Sequence, residues 1–271
     1  MPMLKDITFG QYYEGKSVIH KLDARTKIVL LIFSIVFIFL TKNVFSLLLS
    51  LLFTVFVVLF SSVPFKMFVK NIKSILVVLI FTFLINTLYG TGGKVLLSFW
   101  TMKITTGGIY RAFYMSIRIV LLIVVSSVLT YTTTPNDLTD GIESLLSPLK
   151  FAGLKNAVHT LAMMMTIALR FIPTLVEETE KIMNAQKARG ADLENGKLLE
   201  RIKALIPILI PLLISSVRRA YELAEAMECR CYNGGEGRVR MKKLCFKVSD
   251  LISSLICFAF FFGIIFLNIY F

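Results

Sequence analysis

Histidine is scarce in this 271-residue chain, which holds only His20 and His159. That excludes a histidine-rich metal site and any His-x-x-x-His helix, and no paired carboxylates stand inside an apolar stretch. Cysteine is limited to Cys229, Cys231, Cys245 and Cys257. Their spacing fits no disulfide framework, and Cys-x-Cys at 229–231 lacks a second ligand pair for zinc, so reduced thiols on a cytoplasmic face are the simpler reading. Acidic residues number 17 against 30 Lys and Arg. Such a balance fits nucleic acid or a membrane face, but no aromatic-studded basic stripe accompanies it, so no nucleic-acid partner is expected. The first 25 residues are polar and mixed in charge, unlike a cleavable signal peptide, and the first apolar span is expected to serve as its own insertion signal.

What the chain has in excess is apolar surface: 56% of residues are hydrophobic and 23 are Phe. One soluble core of this size could not hide so much, so lipid must be part of the solvent. Apolar stretches at about 26–42, 44–63, 73–90, 109–132 and 249–271 each approach the roughly 20 residues that cross a bilayer. They predict five spans. The short connection Thr41-Lys42-Asn43 predicts an antiparallel hairpin of the first two. Lys and Arg count five in 1–27, three in 64–73 and seventeen in 132–247, against three on the other side. The positive-inside rule then places the N-terminus in the cytoplasm and the C-terminus outside. Arg111 and Arg118, seven apart, share one face of the fourth span; Arg111 is read as snorkelling outward and Arg118 as holding neighbouring backbone or a polar partner. Gly90-x-Gly92-Gly93-Lys94 has only a superficial likeness to a phosphate loop, because Leu88 and Val95 depart from its pattern.

Three segments follow: a membrane domain over 1–132, an interfacial or cytoplasmic domain over 133–247, and a last transmembrane helix over 248–271. Pro135 ends the fourth span, and Asn136 and Asp137 offer a cap for a short amphipathic helix bearing Leu138, Ile142, Leu145 and Leu146. Two longer helices, about 154–189 and 197–231, then repeat one plan. Each has an apolar half with proline (Pro173; Pro207 and Pro211), then a charged amphipathic half ending in a small-Arg-small triplet. Neither apolar half reaches a clean 18 residues, which predicts that each lies in the interface or against a partner rather than crossing.

The triplets are Ala188-Arg189-Gly190 and Cys229-Arg230-Cys231. Gly190 suits a left-handed helix end, and Asn233-Gly234-Gly235 suits one shortly after the second. Small flanking residues let a partner approach the backbone, and a guanidinium can grip a carboxylate or carbonyls with several donors. A cation compensating the helix dipole is the plainer use of either arginine alone. Their recurrence in matching contexts favours docking of two similar partner sites. Met163, Met164, Met165, Met183 and Met227 suit surfaces that repack against different partners, or equally an irregular membrane-edge core. His20 is read as packing the N-terminal segment at the membrane surface.

Several motifs taken in order carry a resemblance. They are Gly10-x-Tyr12, Gly15-Lys16-Ser17 and His20-Lys21-Leu22-Asp23-x-Arg25-Thr26-Lys27; Leu169-Arg170-Phe171-Ile172-Pro173-Thr174; Ala185-Gln186-x-Ala188-Arg189-Gly190; and Ser215-Ser216-x-Arg218-Arg219-Ala220 with Ala226-Met227-Glu228. From end to end the chain resembles the transmembrane T component (EcfT family) of energy-coupling factor vitamin transporters. The resemblance implies an all-α polytopic membrane protein of about five transmembrane helices whose two long coupling helices cross like an X. It implies a non-catalytic subunit of the cell membrane that binds no cofactor, with ATP and magnesium held by two ABC-type ATPase subunits. Ala188, Arg189, Gly190, Cys229, Arg230 and Cys231 would dock those ATPases, with the two cysteines departing from the commoner small residues. Met163, Met164, Met165, Met183, Ala220, Ala224 and Met227 would form the surface for helix–helix contact and for an interchangeable substrate-binding S component. ATP-driven closure would change the distance between Arg189 and Arg230, pivot the helices and tip the S component inward. A T component dedicated to a cobalt or nickel importer, or a stand-alone secondary transporter, are the alternatives, the latter disfavoured because prolines and charges cluster outside the spans.

Overall fold

The computed structural model describes residues 12–90, 92, 94–99, 102–147, 155–191, 198–233 and 245–270. Gly234 and Gly235 lie outside them. The element order is α1 (Ala24–Leu40), α2 (Val44–Ser61), α3 (Phe65–Ser74), α4 (Leu76–Tyr89), β1 (Val95–Phe99), β2 (Met102–Thr105), α5 (Thr106–Thr132), α6 (Pro135–Leu145), α7 (Lys155–Ala188), α8 (Leu198–Glu228) and α9 (Val248–Tyr270). Among the described residues the fold is all-α as expected, apart from one antiparallel hairpin, β1–β2, that the sequence reading passed over.

Runs rich in Phe, Val and Ile have modest helix propensity, yet α1, α2, α4, α5 and α9 are helical. In hydrocarbon each backbone N–H and C=O must find its partner within the segment. Along α2 the hydroxyls follow the same rule: Ser46, Ser50 and Thr54, all buried, donate to the carbonyls of Asn43, Ser46 and Ser50 at 2.7, 2.9 and 2.8 Å. Spaced four apart, they make a seam of small residues for close helix contact.

By contacts the chain divides into two compact units, one of Gly10–Ile142 with Lys242–Phe271, the other containing Glu143–Met241. In the first, α5 packs against α1, α2, α3 and α4, and α9 returns from the far end of the sequence to pack on α1 and α2. The chain does reverse at Thr41–Asn43, but α1 and α2 pack chiefly on α5 and α9 rather than on each other, which corrects the expected hairpin. A cleft of about 320 Å³ separates them, lined by Leu31, Phe53, Phe60, Val128 and Cys257 among others. Phe37 stacks on Phe261 with ring centroids 4.4 Å apart and closes the helices beside it.

Among the described residues, five helices are long and apolar enough to cross a membrane: Val44–Ser61, Thr106–Thr132, Ala157–Ala188, Lys203–Glu228 and Val248–Tyr270. This is not the expected set. The first span is α1, whose 17 residues sit at the short limit. The third is a broken pair, α3 and α4, bent by 58°. Residues 64–73 are therefore mostly helix rather than loop, with Phe68 buried and Lys66, Lys70 and Lys73 exposed. The expectation that neither apolar half reaches a clean 18 residues is corrected too: α7 and α8 each hold a stretch long and apolar enough to cross. Both α7 and α8 run unbroken through their prolines, so the apolar and charged halves join into single rods.

The corner between α4 and α5 explains the glycines that mimic a phosphate loop. A Cβ on Gly90 would lie 2.3 Å from the Gly108 Cα, so only glycine permits the two backbones to cross there. Thr105 ties the corner, its hydroxyl donating to the Gly90 carbonyl at 2.7 Å and accepting from the Gly108 N–H at 3.0 Å.

Candidate functional site

The second unit is built on α7 and α8, which pack against each other. Glu178 of α7 pairs with Arg219 of α8 at 2.9 Å and accepts a hydrogen bond from the Ser215 hydroxyl. Farther along α7, the Gln186 side-chain amide donates to the Pro207 carbonyl at 3.4 Å. As α7 advances from 178 to 186, its partners on α8 retreat from 219 to 207, so the contact is antiparallel. The two triplets consequently lie toward opposite ends of the packed pair rather than together. Arg189 follows Glu178 by 11 residues and Arg230 follows Arg219 by 11, which sets each about 16 Å of helix from the shared ion pair at roughly 1.5 Å per residue.

Both triplets adopt one backbone motif. At the end of α7, Gly190 has φ +88°, its N–H donates to the Lys187 carbonyl at 2.9 Å, and the Ala191 N–H donates to the Gln186 carbonyl at 3.0 Å. At the end of α8, Cys231 has φ +54°, its N–H donates to the Glu228 carbonyl at 2.8 Å, and the Tyr232 N–H donates to the Met227 carbonyl at 3.0 Å. These are two Schellman caps. Arg189 and Arg230 occupy the same position in each, the last residue before the left-handed one, and both are exposed. The second cap is thus made by Cys231, two residues before the Asn233 where the sequence placed the helix end. A cysteine in this conformation is strained by about 1 kcal/mol or somewhat more relative to glycine. Cys231→Gly is expected to slow hydrogen exchange of the Tyr232 amide and to raise the thermal midpoint in detergent slightly; an unchanged or lower midpoint would count against the strain.

The methionine and alanine positions are mixed. Met164 and Met165 are exposed on α7 while Met163 and Met183 are half-buried; on α8, Ala220 and Ala224 are exposed and Met227 is half-buried. Much of the apolar half of α8 is uncovered, including Leu209, Ile210, Leu213 and Ile214. Ala188, Cys229 and Cys231 are exposed as well.

Several arrangements in the first unit escaped the sequence reading. Asp250, 2% exposed, accepts the Asp23 N–H and the Lys247 N–H, each at 2.8 Å, and so pins the start of α9 to the start of α1. Lys27 is buried, donates to the Thr132 carbonyl at 2.8 Å and to the Thr133 hydroxyl at 3.2 Å, and has Asp137, Asp250 and Asp23 as its neighbouring carboxylates. The cap of α6 is Thr134, not Asn136: its hydroxyl accepts the Asp137 N–H at 3.2 Å and donates to the Asp137 carboxylate at 2.9 Å.

Other readings are met. Arg118 donates to the carbonyl of Thr41, the residue ending α1, and lies 5.0 Å over the Tyr114 ring. A cation there also opposes the negative end of the helix dipole. His20 organises the N-terminal motif: its ring bonds the Ser17 hydroxyl at 2.6 Å and the Tyr13 carbonyl at 2.8 Å, meets Tyr12 edge-on, and sits where a Cβ on Gly15 would be.

Spanning helices combined with two long rods that end in matched basic caps define an all-α polytopic membrane protein. The family model described as a cobalt transport protein, CbiQ, matches residues 15–241. Over 250 residues the chain is 50% identical to the energy-coupling factor transporter transmembrane protein EcfT of Ruminiclostridium cellulolyticum, with 92% of each chain covered. It is 48% identical to the protein of that name from Acidaminococcus fermentans over 98% of each chain. With the one from Bacillus subtilis it shares 45% identity over 95% of this chain and 97% of the other. The chain belongs to this CbiQ and EcfT family, the transmembrane T components of energy-coupling factor transporters.

Proposed function

We propose that this chain is the coupling subunit of an energy-coupling factor importer, carrying the movement of two ABC-type ATPase subunits to a substrate-binding S component. The observation that supports this most is the pair of identical Schellman caps, each holding out one exposed arginine. A symmetric pair of partners needs two equivalent handles. Two helix ends from different parts of the sequence provide them in the same backbone geometry. In this reading Arg189 and Arg230, with the small residues beside them, enter the ATPases, and the exposed apolar face of α8 with Met164 and Met165 of α7 meets the S component and lipid. The chain itself binds no nucleotide; ATP and magnesium belong to the partners. The basic ends of α7 and α8 face the cytoplasm, with the N-terminus inside and the C-terminus outside.

For the cargo, the family resemblance implies a vitamin-type micronutrient selected by the S component. The family description, cobalt transport, favours a dedicated cobalt or nickel importer as the second reading. Co-expression with the two ATPase subunits, solubilisation and affinity purification through this chain tests the coupling reading. Recovery of both ATPases is expected, and their absence would overturn it. Uptake of vitamin against cobalt in cells with the chain deleted separates the two cargoes.

A further inference from the structure

We propose that α7 acts as a splint for a proline break in α8, with Gln186 and Glu178 as the positioning residues that make α8 transmit motion as one rod; this rests on the coupling reading above. Pro211 has no N–H, so the carbonyl four residues earlier, that of Pro207, loses its helical donor. The Gln186 amide of α7 donates to that same carbonyl at 3.4 Å. Four residues on the other side of Pro211, the Ser215 hydroxyl bonds Glu178, and one turn farther Arg219 pairs with the same carboxylate at 2.9 Å. The break is therefore gripped from both sides by one neighbouring helix.

The need for such a grip follows from where α8 is weak. Pro207 removes a further hydrogen bond, to the Lys203 carbonyl, and the Ser216 hydroxyl bonds the Leu212 carbonyl at 2.7 Å, a contact that loosens and bends helices. Residues 203–216 are thus the soft part of a 31-residue helix. A soft apolar half would absorb a displacement applied at the Arg230 cap instead of passing it on. Gln186 adds a direct link, because its own carbonyl accepts the Ala191 N–H in the cap that presents Arg189. The residue that closes the α7 cap also fills the gap left by Pro211.

The test uses the whole complex, this chain with its ATPases and an S component in proteoliposomes, and reads ATP hydrolysis and substrate uptake together. Glu178→Gln with Gln186→Leu is expected to leave assembly and ATP hydrolysis intact while uptake per ATP falls at least about fivefold, a modest coupling free energy. Adding Pro211→Ala, which returns the missing N–H to α8, is expected to restore the ratio. Unchanged uptake per ATP in the double variant, or no recovery with Pro211→Ala, would overturn the splint. Should that variant be lost from the membrane, exchanging the charges (Glu178→Arg with Arg219→Glu) supports the splint if it couples normally while each single change does not, and overturns it if the singles also couple normally. Failure of the unaltered chain to hold ATPases instead refutes the coupling reading itself.

Discussion

A chain carrying both Arg189→Glu and Arg230→Glu is expected to reach the membrane in normal amounts and to retain neither ATPase through purification. The two arginines are exposed and end their helices, so reversing their charge removes no buried contact. Insertion depends on the apolar rods, which the changes leave alone. Each guanidinium is expected to give its partner a charge-assisted hydrogen bond of roughly 1.5–3 kcal/mol, so either single reversal weakens retention by about tenfold or more. With both reversed, the linked second contact is lost as well and the loss becomes complete. Arg189→Lys and Arg230→Lys keep the charge but not the planar fork, and fall between wild type and reversal. Quantifying ATPase per chain in the eluate checks all of these. Retention by the double variant would reduce the triplets to ordinary helix ends.

Asp250→Ala is expected to be the most damaging single change to the fold. The substitution leaves the Asp23 and Lys247 N–H groups without the acceptor they share and takes one carboxylate from the surroundings of the buried Lys27. Removing one member of a buried charged cluster costs about 3–5 kcal/mol. The loss falls where α9 joins α1, so α9 should detach first. Sharply lower membrane yield and a lowered thermal midpoint in detergent are the readouts, with Asp250→Asn, which keeps an acceptor, recovering part of both. A midpoint equal to that of wild type would show that packing such as Phe37 on Phe261 holds α9 without the carboxylate.

Both variants touch residues of different legibility. Arg189 and Arg230 stand out in the chain because a short motif recurs beside helix ends, a local pattern. Asp250 does not, since its partners lie 227 positions away at Asp23 and nothing near it in sequence signals the pairing. Cys231 falls between: a helix end near it was readable, but a left-handed cysteine was not, because glycines just beyond offered a cheaper place for the turn. The span set went astray for a related reason. Each apolar half was counted alone and fell short of 18 residues, whereas α7 and α8 run unbroken through their prolines and hold longer apolar windows.

By itself the sequence determined that the chain lives in lipid, that it is helical, and that two basic helix ends form a pair. Composition and short-range pattern suffice for these, since lipid forces backbone bonding within each segment and caps depend on a few adjacent residues. Only the tertiary structure decided that α9 closes on α1 and α2, that those two are held apart around a cleft, and that α7 brackets Pro211 of α8. Each of these depends on which distant side chain arrives at an unsatisfied group or an apolar face. That is a matter of three-dimensional packing, and no local rule along the chain encodes it.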